Sequence, residues 1–194
     1  MLEIERKILE IDPRAFKAQL KKIKPRPKKI FEGFVRVKYF DFPDRRILRA
    51  RNLLRLREIS PKGKKPFTEF VYKVFRGVRQ KSKYFEEHEI TAREPGSFEN
   101  LSALLKKLGF IQTVYYEKKR TLYKWGKVKF ELDEHPKIPP FLEIEAESPG
   151  AIDRAIRLLN LQNHEQSALS IAELMKKKYP KTALNGLRFP RSGL

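Results

Sequence analysis

The sequence predicts an α+β fold dominated by antiparallel strands, and three observations point to it. About eight stretches read as strands against three or four as helices, with no internal repeat. Helical stretches are too few for repeated βαβ crossovers, so neighbouring strands are expected to run antiparallel. Along most strands charged and apolar residues alternate, which gives each strand one charged and one apolar face.

In chain order, residues 2–11 alternate as a strand, Asp12-Pro13 signals a helix start, and Phe16, Leu20 and Ile23 fall at helical spacing over 13–23. The Pro/Lys run at 24–29 breaks that helix. Strands are expected at 34–42, 52–60, 67–77, 81–91, 111–125, 127–135 and 141–148. Turn chemistry separates them: Pro61-Lys62-Gly63, Arg76-Gly77, Gly126 and the Pro-rich stretch 135–140. Helices are expected at 97–108, where Leu101, Leu104, Leu105 and Leu108 share a face, at 151–159 and at 168–178. One domain over 1–179 and a basic tail over 180–194, with Lys181, Arg188 and Arg191, account for the chain.

Composition narrows the function. Lys and Arg number 44 against 24 Asp and Glu, a net charge of +20 that calls for an anionic partner. Fourteen Phe and seven Tyr exclude a disordered chain. The absence of cysteine excludes disulfides, a thiolate nucleophile and cysteine-built metal centres. The three histidines (88, 135, 164) stand at no ligand or HExxH spacing, and no P-loop or dinucleotide-binding glycine pattern is present. The start, MLEIERKILE, has no apolar core and no run approaches 18 apolar residues, so a soluble, cytoplasmic protein without membrane contact is expected.

The sorting of charge within strands is the most informative feature. Glu3, Glu5 and Lys7 share a face, as do Arg55 and Arg57, Glu87 and Glu89, Lys118 and Arg120, Glu131 and Asp133, and Glu143 and Glu145. Lys73 can join this face, and Lys83 lies in phase with Glu87. Such faces can simply be the solvated sides of ordinary sheets. Yet same-sign pairs two residues apart recur on several strands, where opposed like charges destabilise. Clustered carboxylates tolerate one another beside divalent cations, and clustered guanidinium and ammonium groups beside phosphate. Together they suggest metal plus polyphosphate. If the sheet closes on itself, the charged face becomes the lumen of a wide barrel and helices cover the apolar outside.

LEIERK at residues 2–7 resembles the N-terminal E-x-E-x-K signature of the CYTH superfamily, the triphosphate tunnel metalloenzymes. KYFDFPDRRILRARNLLRLRE (38–58) resembles that family's YFDTP-type segment followed by L-R-x-R, and FELDEHPKIPPFLEIEAES (130–148) its L-D plus F-x-E-I-E segment. The resemblance covers about residues 1–178, in order and spacing. It implies a closed antiparallel eight-stranded barrel, a tunnel with a charged lumen that binds a triphosphate with Mg²⁺ or Mn²⁺, and helices packed outside. It implies metal coordination by Glu3, Glu5, Glu87, Glu89, Asp133, Glu143 and Glu145, and phosphate contacts by Lys7, Arg55, Arg57, Lys73, Lys83, Lys118 and Arg120. The catalytic set would be Glu3, Glu5, Lys7, Glu143 and Glu145. The sequence departs from the family pattern at Phe85, where a basic residue often stands, and at the Pro136–Pro140 connection.

The implied activity is metal-dependent hydrolysis of a phosphoanhydride bond in a small triphosphate, with inorganic triphosphate first and nucleoside or thiamine triphosphate as alternatives. A class IV-like adenylate cyclase making cyclic AMP from ATP is a second reading, and a non-catalytic binder of polyphosphate or RNA a third. The surplus basic residues at 24–29, at 176–178 and in the tail are either solvated surface or a docking patch for polyphosphate or RNA. Either a monomer or a homodimer is compatible with the sequence.

Overall fold

A computed structural model describes residues 2–190. Its strands are β1 (Leu2–Ile8), β2 (Lys28–Asp41), β3 (Leu53–Pro61), β4 (Phe67–Arg79), β5 (Ser82–Ala92), β6 (Ile111–Trp125), β7 (Val128–Glu134), β8 (Phe141–Ala146) and β9 (Gln166–Ser167). Its helices are α1 (Pro13–Lys22), α2 (Arg46–Arg49), α3 (Ser97–Lys107), α4 (Pro149–Leu158) and α5 (Ile171–Lys178). The first eight strands form one antiparallel sheet in the order β5-β4-β3-β2-β6-β7-β8-β1, and pairing of β1 with β5 closes it into a barrel. The two-residue β9 pairs with Lys7 and Ile8 of β1, on the edge that β5 pairs with at Leu2–Glu5. The expected α+β class and closed eight-stranded barrel with helices outside are therefore what the chain forms.

Closure works because side chains alternate along each strand. On β1, Ile4 and Ile8 face outward with Phe130, Leu132, Leu142 and Ile144 of β7 and β8. Phe16 and Leu20 of α1 and Ile152, Ala155 and Ile156 of α4 bury this wall. α1 starts at Asp12, whose carboxylate accepts from the Arg14 amide at 2.8 Å, and at Pro13, whose missing N–H costs nothing in a first turn. A second outer cluster joins Phe40, Leu54 and Leu56 to Ile47 of α2 and Phe98 and Leu105 of α3.

The structure differs from the sequence reading in local details. β2 begins at Lys28 rather than at 34, inside the run expected to break the helix, and Pro27 sits just ahead of the first paired residue. The single turn α2 is too short for a periodic signal. The buried Asp41 carboxylate holds it, accepting from the amides of Phe42, Ile47 and Leu48 at 2.7, 3.0 and 2.9 Å. Gly33 must be glycine: a Cβ there would lie 2.3 Å from the Ser60 carbonyl oxygen.

Helix α5 lies across one end of the barrel. Ile171, Leu174 and Met175 pack with Leu9, Val35, Val37, Tyr116 and Phe141 in a third cluster. The same cluster takes Leu184 and Leu187 from the stretch read as a tail. That stretch runs beside β6, where the Glu117 amide donates to the Leu187 carbonyl at 2.9 Å and Phe189 tilts on Phe34. Arg191 lies outside the described residues. Among the described residues, no helix is long and apolar enough to cross a membrane.

Candidate active site

Inward-facing residues enclose a cavity of about 1150 Å³ that runs along the barrel. All the charged positions singled out in the sequence line it: Glu3, Glu5, Lys7, Arg55, Arg57, Lys73, Lys83, Glu87, Glu89, Lys118, Arg120, Glu131, Asp133, Glu143 and Glu145. Eight strands supply a ring of alternating inward positions, so charges distant in sequence meet across the lumen.

The ion pairs divide the wall into groups. Lys7 contacts Glu143 at 2.5 Å and Glu5 at 3.4 Å. Arg120 grips Asp133 with two donors at 2.6 Å each and also reaches Glu131 and, at 3.3 Å, Glu143. Lys118 meets the same Asp133 at 2.7 Å. Across the lumen, Lys73 pairs with Glu3 and, at 3.0 Å, with Glu87. Arg57 binds Glu69 at 2.6 Å and Glu89 at 3.1 Å, and Arg55 lies 3.8 Å from Glu87. At the edges, Lys129 holds Glu145 at 2.8 Å and Lys83 reaches Glu173 of α5 at 3.3 Å.

Proton affinities show where these pairings balance. Burial raises a carboxyl and lowers an ammonium, and neighbouring charges oppose or reinforce it. Against burial, Lys7, Arg120 and Lys118 hold Glu143 well below the ordinary carboxylate range, and Arg120 and Lys118 hold Asp133 at about 2. Against burial, Glu143 and Glu5 keep Lys7 firmly charged.

Elsewhere the balance fails in both directions. Glu3 is pushed well above its usual value by burial, which Lys73 only partly offsets, and by the nearby Glu87 and Glu5. Burial raises Glu131 with help from Glu143 and Asp133, and raises Glu89 with help from Glu69. Conversely, burial and the Arg120 charge lower Lys118 to about 8, and burial and the Lys7 charge lower Lys83 to about 8. One cavity thus holds carboxylates and ammonium groups whose burial their ion pairs do not fully offset.

The site also contains residues that the sequence reading did not single out. Glu69 and Lys129 are in phase with Lys73 and Glu131, and that parity could have found them. Tyr39, Tyr116, His135 and Phe141 line the end under α5, with the Tyr39 and Tyr116 hydroxyls 3.4 Å apart. His135 stacks on Phe141, is lowered to about 3 chiefly by burial, and has no hydrogen-bond partner at either ring nitrogen. At the family departure, Phe85 takes an inward position, and the Lys73 and Lys83 ammonium groups lie 5.5 and 5.8 Å from its ring centre.

The model of the CYTH domain matches residues 1–167 of this sequence. The chain belongs to the CYTH family. Its barrel is similar to the PH1819 protein of Pyrococcus horikoshii OT3, at 23% identity and a TM-score of 0.74, covering 91% of this chain and 99% of that one. It is also similar to a putative adenylate cyclase of Vibrio parahaemolyticus, at 19% identity and a TM-score of 0.70 over 91% and 98% of the two chains. A Hippeastrum protein, HpAC1, is similar at 14% identity and a TM-score of 0.65 over 90% and 94%. That plant protein is described as a putative adenylyl cyclase with a dominant triphosphatase activity. No curated protein matches the sequence. At these identities the solved structures speak to the CYTH fold and leave the substrate open.

Proposed function

We propose that this CYTH protein is a divalent-metal-dependent triphosphatase that hydrolyses a phosphoanhydride bond of a small triphosphate, with inorganic triphosphate as its first substrate. One observation carries this reading. The same cavity holds carboxylates raised because burial outweighs their ion pairs (Glu3 with Lys73, Glu89 with Arg57, Glu131 with Arg120) and ammonium groups lowered because burial outweighs theirs (Lys83 with Glu173, Lys118 with Asp133). A complex of metal ion and polyphosphate offsets both at once. A pure anion binder would leave the carboxylates raised.

The donor set suits Mg²⁺ or Mn²⁺. Glu5 stands directly opposite Glu145, a like-charge pairing that costs energy, and Glu131 stands opposite Glu143, a pair that shares only Arg120. Among the described residues, no three acidic or imidazole groups converge as a finished ligand set. Mg²⁺ usually takes only one or two carboxylates and completes its shell with phosphate oxygens and water. Glu3, Glu5, Glu143 and Glu145 would hold the metal, with Glu87 and Glu89 as further acidic positions. When bound it would neutralise phosphate charge and acidify the attacking water.

The chain's own cations do the positioning. Lys7, Arg55, Arg57, Lys73, Lys118 and Arg120 surround the lumen and offset the negative charge that repels an incoming nucleophile. Asp133, bonded to both Lys118 and Arg120, aims those two groups. The test is phosphate release from inorganic triphosphate and from ATP with Mg²⁺, Mn²⁺ or EDTA, with cyclic AMP assayed in the same tubes. Metal-dependent phosphate from triphosphate, abolished in Glu143→Ala, supports the hydrolase. Cyclic AMP from ATP would establish a cyclase instead, and silence in every tube a binding protein.

A further inference from the structure

The lumen has a second set of cations that a triphosphate does not need. Lys29 at the start of β2, Lys62, Lys64 and Lys65 in the β3–β4 loop, and Arg93 just past β5 line the same cavity and are exposed. Lys29 pairs with Glu32, and Arg93 lies 5.3 Å above the Phe67 ring. Lys62, Lys64 and Lys65 form no ion pair among the described residues. The opposite end is the one under α5, where Ile171 meets the cavity wall beside Tyr116 and Phe141. An anion bound on the inner cations therefore has its outward continuation against this basic rim.

We propose that the rim grips the trailing phosphates of a linear inorganic polyphosphate whose end occupies the tunnel, so that chains longer than three phosphates are the better substrates. This rests on the triphosphatase reading of the inner site and names the substrate class it serves. A chain of phosphates carries charge at every unit, which suits point charges on exposed lysines. A nucleic acid would add bases, which bind through open aromatic faces. The two rings at the rim, Phe31 and Phe67, are half-buried, and Arg93 covers Phe67. In the reaction, water adds to the terminal phosphorus and the bridging P–O bond breaks. The shortened chain leaves with that bond's electron pair, and the water proton goes to solvent.

The experiment compares the wild type with the triple variant Lys62→Ala, Lys64→Ala, Lys65→Ala, whose positions are exposed loop residues remote from the core. Substrates are inorganic triphosphate, a linear polyphosphate several times longer, and a 5′-triphosphorylated RNA oligonucleotide. Binding of each is followed by calorimetry over a salt series. The triple variant is expected to lose roughly tenfold in kcat/KM and affinity for polyphosphate, with the log–log salt slope falling by about 2, while triphosphate is unaffected. Equal losses on triphosphate and polyphosphate, or no loss on either, would overturn the inference. A loss confined to RNA would overturn it in favour of a nucleic-acid rim. If triphosphate is never hydrolysed but polyphosphate binding weakens in the variant, the rim stands and the hydrolase reading falls.

Discussion

Arg6 and Lys7 are neighbours on β1, both almost wholly buried, and they do opposite things. Arg6 faces outward into a closed set of partners: Asp153 of α4 at 2.6 Å, Gln166 of β9 at 2.9 Å, the Gln80 carbonyl at 2.7 Å and Ser82 of β5 at 3.0 Å. Those bonds tie β1 to β5, the seam that closes the barrel. Lys7 faces inward, where Glu143 and Glu5 hold its charge but the neighbouring Lys83 is lowered by it. A buried cation whose donors are all used is architecture. A cation that unsettles its neighbours in an open cavity is poised for a ligand.

The largest expected effect breaks the inner half of that contrast. Lys7→Met removes a charge from the phosphate grip, and kcat/KM for triphosphate should fall by 10²–10³-fold, roughly the value of one preorganised electrostatic contact. Glu143 retains Arg120 at 3.3 Å, so the unfolding midpoint should move less than in the Arg6 variant below. A Lys7→Met protein of full activity would remove Lys7 from the site.

Arg6→Met tests the outer half. It discards several charge-assisted bonds and leaves Ser82, which is fully buried, with only its 3.4 Å contact to the Gln80 carbonyl. The expected cost is about 3 kcal/mol in urea unfolding. Folded protein at low temperature should keep its KM. Loss of KM without loss of stability would assign Arg6 to the site.

The same contrast explains what the sequence could and could not disclose. Inward charges were legible because period-2 alternation marks a polar face wherever it occurs, and Glu3, Glu5, Lys7, Glu143 and Glu145 all obey it. Whether that face looked into water or into a lumen depended on β1 meeting β5, a long-range pairing that leaves no local pattern. Resemblance to the CYTH signature supplied it. Tyr39, Tyr116 and His135 were invisible for a different reason: inward residues without charge look like ordinary core. Helix α5 was visible as a helix at 168–178, though the Ser170–Glu173 capping box starts it at Ile171, and its place over the barrel end follows from packing against Tyr116 and Phe141.

His135 sharpens the comparison at that covered end. Its two ring nitrogens are buried without partners, a condition that costs about 1–3 kcal/mol. His135→Phe keeps the stack on Phe141 and removes the unmet polar atoms, so stability should rise by about 1 kcal/mol with triphosphatase activity retained. A fall in activity together with that gain in stability would show that the imidazole contacts substrate.

The smallest effect concerns the contact between α5 and the lumen. Burial and Lys7 lower Lys83 to about 8, while Glu173 works to keep it charged. An anion binds the ammonium form, so this lysine's contribution to triphosphate affinity is complete below that value and is lost as pH rises through it. Glu173→Gln removes the opposing charge while Gln, like Glu, serves a capping box at N3, so α5 should remain in place. Glu173 is half exposed, and solvent screens its influence. The alkaline fall in affinity should therefore begin at lower pH in the variant, displaced by roughly half a unit. A displacement toward higher pH, or an unchanged profile, would mean that Lys83 is not the group that titrates.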